Sequence, residues 1–106
     1  MDTSLDPKFT EQSEAIVTQF GFKNLKSFVK NQTLLILMAK IEKFEMENRK
    51  FEAKYDMSFK KFQIKIEKLQ NDENFFEEDD YLDWRFATES INKFIKQKQG
   101  LIKQYT

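Results

Sequence analysis

A heptad seam of mostly apolar residues, from Leu34 to Tyr55, lies inside the stretch between Asn24 and Asp56. No Gly or Pro occurs in this stretch, and Asn24 can cap its start with a side-chain oxygen. The spacing alternates between three and four residues, which is typical of a helix that packs lengthwise against another helix. It predicts one helix from Leu25 to Tyr55, about 46 Å long at ~1.5 Å per residue. The seam positions are Leu34, Leu37, Ile41, Phe44, Asn48, Phe51 and Tyr55.

A helix of this length extends beyond the globule that so short a chain forms alone, since a compact domain of about 100 residues has a radius of gyration of about 13 Å. The sequence therefore predicts a homodimer, with a second copy or a partner protein covering the excess. The segment Leu34 to Met38 is apolar on every face, so we expect it to be enclosed by the first helix and a second chain. Asn48 would fix the register of the pair. An ordinary amphipathic core helix is the alternative. The predicted dimer residues are Leu34, Leu37, Met38, Ile41, Phe44, Asn48 and Phe51.

Charge and residue content argue against several functions. The 18 basic and 18 acidic side chains cancel, which gives no net attraction to nucleic acid or to an anionic membrane. The chain has no Cys and no His, which excludes disulfides, thiol nucleophiles and Cys/His zinc sites, and removes the commonest general base. We expect no cofactor, no metal and no catalytic residue. The longest apolar run, Leu34 to Ala39, is far shorter than the ~20 residues that span a bilayer, so the sequence predicts a soluble cytoplasmic protein.

Shorter helical patterns flank the long one. A first helix is expected from Pro7, with Asp6 as its N-cap, and it ends at Gly21. A third helix, Phe59 to Leu69, follows Ser58, and a last helix runs from about Asp79 to Lys103. The predicted fold class is all-α: four helices with one long central helix, in a dimeric helical assembly. Within one domain, residues 1–56 form the dimerisation part and residues 57–106 the partner-binding part.

An acidic and aromatic segment separates the third helix from the last. Asp72 to Asp83 contains seven acidic residues and no basic one. A metal site, a docking surface for a basic partner and a solvated helix start are the three interpretations, although the spacing does not fit a calcium-binding loop. The aromatics there are either core residues or interface anchors, with Tyr81 and Trp84 as the exposed pair to test. The predicted partner-binding residues are Phe75, Phe76, Asp79, Asp80, Tyr81, Asp83 and Trp84.

The segment GFKNLKSFVKNQ, from Gly21 to Gln32, resembles the turn that joins the two helices of ribbon-helix-helix proteins, a dimeric DNA-binding fold. In that family a short strand before the first helix contacts the major groove. The corresponding segment here, MDTSLDPK, has two Asp and only one Lys, whereas phosphate contacts need basic side chains. DNA binding is therefore doubtful, and a DNA-binding repressor stays a secondary alternative.

Two later segments resemble the C-terminal half of small antitoxins from bacterial and archaeal toxin–antitoxin pairs: FEAKYDMSFKKFQ from Phe51, and FFEEDDYLDWRFATESINKF from Phe75. Such antitoxins dimerise through an N-terminal part and lay a helical C-terminal part over a toxin, often an RNase. The resemblance implies a non-enzymatic protein that neutralises a toxin by occlusion. The alternative is a structural coiled-coil or adaptor protein. The resemblance assigns Leu34, Leu37, Met38 and Ile41 to a dimer contact, and it assigns Asp80, Tyr81, Asp83, Trp84 and Arg85 to a toxin-facing or core-forming motif.

Overall fold

The structure, a computed structural model, describes residues 6–69 and 77–105. These residues form four helices and no other regular element. The all-α fold predicted from the sequence is therefore confirmed. In chain order the helices are α1 (Pro7–Gln19), α2 (Leu25–Tyr55), α3 (Phe59–Lys68) and α4 (Glu78–Tyr105).

Three helices begin at the polar residues that the sequence marks as caps. The Asp6 carboxylate accepts a hydrogen bond from the backbone N–H of Lys8 at 2.8 Å. Asn24 Oδ1 accepts from the N–H of Ser27 at 2.8 Å, and Ser58 Oγ accepts from the N–H of the third helical residue at 3.3 Å. Each cap satisfies a backbone donor that has no partner within the first turn of its helix.

Gly21 reverses the chain between α1 and α2. Its φ of 98° lies in the left-handed region, which an L-residue with a side chain rarely adopts. The Gly21 N–H donates to the carbonyl of Thr18 at 3.1 Å, and the Phe22 N–H donates to that of Val17 at 3.0 Å. This pair of bonds is a Schellman motif. The Phe22 ring then contacts Phe28 edge-on, with 5.1 Å between ring centroids, which joins the turn to α2.

The helix α4 runs antiparallel along α2. Lys54, near the end of α2, pairs with Asp80 near the start of α4, and Phe44, earlier in α2, stacks on Phe94, later in α4. The molecule measures 63 × 31 × 21 Å, and its radius of gyration is 20.7 Å. Because a compact chain of this size has a radius of gyration of about 13 Å, the protein is an elongated helical hairpin rather than a globule.

The main core lies at one end of the hairpin, where α3 closes over α2 and α4. Phe62, Ile66 and Trp84 are buried there. Partly buried residues from the three helices and from the α2–α3 connection pack around them: Phe51, Tyr55, Met57, Phe59 and Tyr81. At the opposite end, Val17 is the buried residue that α1 contributes. Most of the aromatic packing therefore lies at the end where α3 closes the hairpin.

The heptad seam of α2 faces α4 of the same chain. Phe44 contacts Phe86 and Phe94, Phe51 stacks on Trp84, and Asn48 accepts a hydrogen bond from Trp84. The expectation that Phe44, Asn48 and Phe51 face a second copy is corrected accordingly, since the periodicity of a seam does not identify the helix that covers it. Ile41 is also buried within the single chain.

The apolar segment at the middle of α2 is not enclosed by the chain. Leu34 and Leu37 are half-buried on the seam side, whereas Leu35, Ile36 and Met38 are exposed. This corrects the expectation that the first helix covers the segment, because α1 leaves these side chains open to solvent. The single chain therefore has an apolar surface around Leu35 that its own helices leave uncovered.

Candidate partner-binding surface

Trp84 is a core residue. Its side chain is 0% exposed, stacks on Phe51 at 5.5 Å between ring centroids, and meets the edge of Phe59 at 5.4 Å. The indole N–H donates to Asn48 Oδ1 at 2.7 Å. The prediction of an exposed anchor is therefore wrong for Trp84, and the alternative core interpretation is confirmed. A buried indole N–H needs an acceptor, and Asn48 supplies it from the α2 seam.

Asn48 uses both ends of its amide within the chain. Its Oδ1 accepts from Trp84, and its Nδ2 donates to the Glu52 carboxylate, one turn later, at 3.0 Å. The register that this polar seam residue fixes is therefore that of α2 against α4. Asn48 therefore fixes the register of two helices within one chain and not, as predicted, the register of two chains.

Asp80 ties the start of α4 to the end of α2. Its carboxylate accepts a hydrogen bond from Lys54 Nζ at 2.6 Å and another from the Tyr55 hydroxyl. These two donors, Lys54 first, hold the pKa of Asp80 below its usual value of 3.8. Burial and the bond to the Asp80 carboxylate raise the pKa of Tyr55. Asp80 thus holds α4 against α2, and its carboxylate is not available to bind a partner.

Tyr81 divides its contacts between core and surface. Its ring stacks on Phe59 at 5.9 Å between centroids, and its hydroxyl accepts a hydrogen bond from Gln63 Nε2 at 3.4 Å. The Arg85 guanidinium lies 5.6 Å from the ring centroid, a distance that allows a cation–π contact. The Tyr81 side chain is half-buried, so it holds α3 against α4 and leaves one edge of its ring accessible to a partner.

The other predicted partner residues divide into two groups. Asp79 and Asp83 are exposed on α4. Phe75 and Phe76 lie outside the described residues, as do Asp72 and Glu73. Of the predicted acidic surface, the structure therefore shows Glu77 and the acids in the first two turns of α4.

Two exposed apolar residues, Leu82 and Phe86, join these acids on one face of α4. Their side chains are 43% and 61% exposed. Asp79, Leu82, Asp83 and Phe86 are spaced i, i+3, i+4 and i+7, so they share one helix face, and we call them the acidic–apolar strip. The sequence interpretation left Trp84 open between core and interface and did not single out Leu82 or Phe86. Once Trp84 is assigned to the core, the helical period places both of them on the opposite side of α4.

A groove beside the strip separates α4 from α2. It has a volume of about 480 Å³, and Phe44, Phe51 and Phe86 form its apolar lining. On the α4 side it is bordered by Asp83. On the α2 side it is bordered mainly by lysines, with one glutamate among them: Lys43, Glu47, Lys50 and Lys54. An open aromatic floor between borders of different charge can receive an amphipathic helix from another protein.

Uncovered apolar side chains form a second feature at the other end of the hairpin. Phe9 and Ile16 of α1 share one face with Phe20, the C-cap that follows the helix, and Phe20 is 72% exposed. The exposed residues Leu35, Ile36 and Met38 of α2 belong to the same half of the molecule. Soluble monomers seldom expose so many large apolar side chains in one region, and such surfaces mark contact sites.

Metal chemistry has no ready site in the described part of the chain. Across residues 6–69 and 77–105, no three Asp or Glu side chains are grouped so that they could hold a metal ion. Asp79 and Asp83 instead lie along an exposed face of α4, Asp80 pairs with Lys54 of α2, and Glu77, just before α4, pairs with Lys65 of α3. What the arrangement offers is a surface for non-covalent contact.

None of the described helices is both long enough and apolar enough to cross a membrane. Comparison of the chain with protein-family models, with curated proteins and with solved structures gives no match.

Proposed function

We propose that this protein is a non-enzymatic antitoxin-like protein that dimerises and neutralises a toxin by covering it. The observation that carries the proposal is the acidic–apolar strip with its adjoining aromatic groove, because acids and large apolar side chains share one exposed face there. Exposed aromatics surrounded by charges are typical of protein interfaces. The resemblance of the α3–α4 region to antitoxins supplies the class of partner.

The strip and groove define the chemistry of the toxin element that would bind. Its apolar stripe would occupy the floor formed by Phe44, Phe51 and Phe86. Basic residues on one side of the stripe would meet Asp79 and Asp83, and acidic residues on the other would meet Lys43 and Lys50 across the groove. Complementary charges of this kind speed association and select the partner.

The dimer is supported by the uncovered apolar surface of α1 and the first half of α2. An elongated chain that leaves Phe20 and Leu35 in water gains free energy when a second copy covers them, at about 25 cal/mol per Å² of apolar surface. The two functional surfaces are on different helices, since the strip belongs to α4 and the uncovered apolar surface belongs to α1 and α2.

The experiment is a growth test with the protein encoded by the neighbouring reading frame. We expect that protein to arrest growth of a bacterial host, and co-expression of this chain to restore growth. The double variant Asp79→Lys, Asp83→Lys and the single variant Phe86→Ala should each lose rescue. Glu67→Lys, an exposed acid of α3, is the matched control and should keep it.

Circular dichroism of the purified variants shows whether they keep their helix content, as substitutions of exposed side chains should. Rescue by the strip variants as strong as that by the unmodified chain would contradict the proposed binding surface. A neighbour that has no effect on growth would favour the alternative, a structural adaptor, which the 63 Å length of the molecule also suits.

A further inference from the structure

α2 carries a second heptad seam on the side away from α4. Spacings of 4, 3, 4, 3 and 4 connect its positions, and we call them the outer seam: Leu35, Ala39, Glu42, Met46, Arg49 and Ala53. At 100° per residue this row lies roughly opposite the row that packs on α4. All six residues are exposed, and Leu35 and Met46 are about half exposed.

We propose that the outer seam pairs with the outer seam of a second copy, and that the two α2 helices run antiparallel. The inference rests on the dimer of the proposed function and gives it a contact face on α2, a direction and a register; α1 lies outside this contact. It assigns the seam to a second copy because the order of charges and side-chain sizes along it is complementary to itself when one copy is reversed.

Charge is the first part of this complementarity. Glu42 and Arg49 are the two charged residues of the outer seam, and neither has an ion-pair partner within the described part of the chain. In a parallel, in-register pair Glu42 would face Glu42, and Arg49 would face Arg49. Two like-charge contacts on the seam would oppose that arrangement. Reversal of one helix brings Glu42 toward Arg49 of the second copy twice, through the two-fold axis.

Side-chain size is the second part, and it selects the register. When Leu35 lies opposite Ala53 of the second copy, Ala39 lies opposite Arg49, and Glu42 lies opposite Met46. Ala39 leaves room for the long Arg49 side chain. The Glu42 carboxylate is then three residues away along the axis, about 4.5 Å at ~1.5 Å per residue, so the guanidinium can reach it. The contact from Leu35 to Ala53 is about 27 Å long.

Charge reversal tests the pairing. Glu42→Arg and Arg49→Glu should each raise the dimer dissociation constant about tenfold, because two attractions become two repulsions. The double variant Glu42→Arg, Arg49→Glu should restore dissociation to within about twofold of the unmodified chain. Glu67→Arg, an exposed acid of α3, is the matched control. Sedimentation equilibrium measures the constants, and circular dichroism checks that helix content is unchanged.

Cysteine cross-linking tests the direction and register of the two α2 helices. Only the introduced cysteines can react, because the chain has no native Cys. With a short bis-maleimide, an equal mixture of Leu35→Cys and Ala53→Cys proteins should give a cross-linked dimer between the two species. Neither protein alone should cross-link efficiently, since each cysteine would lie far from its own copy in an antiparallel pair.

Three results overturn the inference. They are efficient cross-linking of either single variant alone, a double charge reversal that weakens the dimer further, and a chain that is monomeric at every concentration. The growth test of the proposed function is read separately. Rescue of growth together with a parallel cross-link would refute the outer-seam pairing while leaving toxin neutralisation in place. A cross-link between the Leu35→Cys and Ala53→Cys proteins without rescue of growth would support the outer-seam pairing and refute toxin neutralisation.

Discussion

Asn48 and Trp84 are joined by a side-chain hydrogen bond although 36 residues separate them in the chain. The bond fixes how far α4 is shifted along α2, because a slip by one turn would bury the indole N–H without an acceptor. An unsatisfied buried donor costs about 1–3 kcal/mol. A single polar pair in the middle of an aromatic stack thus specifies the register of the hairpin.

Trp84→Phe should lower the free energy of unfolding by about 2–4 kcal/mol. The substitution leaves a cavity beside Phe51 and removes the donor that satisfies Asn48. Urea unfolding followed by circular dichroism measures the change. Phe86→Leu, an exposed aromatic on the same helix, is the control and should cost less than about 1 kcal/mol. Equal losses for the two variants would contradict the burial assigned to Trp84.

Asp80→Asn should cost about 0.5–1 kcal/mol at neutral pH, because the partly exposed pair with Lys54 is lost. The folded chain holds the pKa of Asp80 below 3.8, so the carboxylate contributes stability above that pH and loses it as the pH falls through the lower folded value. The difference between the unmodified chain and Asp80→Asn should therefore shrink below about pH 4.

Urea midpoints measured from pH 7 to pH 3 check this dependence. Asp79→Asn is the matched control, since Asp79 also lies in the first turn of α4 but is exposed. A gap between the unmodified chain and Asp80→Asn that widens in acid would show that the carboxylate does not stabilise the fold through its charge.

At the scale of the element, the two glycines of the chain have opposite roles. Gly21 adopts a positive φ in the turn after α1, whereas Gly100 lies inside α4. A Cβ at either position would meet open space, so the backbone alone decides the effect of a substitution. Gly21→Ala should destabilise the fold by about 1 kcal/mol, and Gly100→Ala should stabilise it by about 0.5–1 kcal/mol.

Thermal unfolding of the two variants beside the unmodified chain measures both changes. They should have opposite signs, with the melting temperature of Gly21→Ala below that of the unmodified chain and that of Gly100→Ala above it. Melting temperatures that shift in the same direction in both variants would mean that the left-handed backbone conformation at Gly21 does not determine the effect of Gly21→Ala.

Local chemistry explains why the helix bounds could be predicted from the sequence. The caps at Asp6, Asn24 and Ser58 and the turn at Gly21 depend on residues within one turn of one another. The helix that would cover the α2 seam could not be predicted, because a heptad pattern is satisfied equally by α4 and by a second copy. For the same reason Trp84 stayed open between core residue and interface anchor, and Phe86 was not singled out.

At the scale of the whole molecule, stability should depend on protein concentration if two copies associate. A dimer that unfolds to two chains has a melting temperature that rises by about 3 °C for each tenfold increase in concentration at this size. Calorimetry between micromolar and hundreds of micromolar chain measures it, and light scattering should give about twice the 12.8 kDa chain mass. A melting temperature that does not change with concentration would argue for a monomer.

Aromatic packing is concentrated where α3 closes the hairpin, around Phe62 and Trp84, and is sparse where α1 meets α2. Amide hydrogen exchange should therefore be fastest in α1, and a protease should make its first cuts there. A protein bound over the exposed apolar face of α1 would slow both processes. The lifetime of the protein in a cell is then expected to depend on whether α1 is covered by a bound protein, since an unbound chain exposes its least protected helix to degradation.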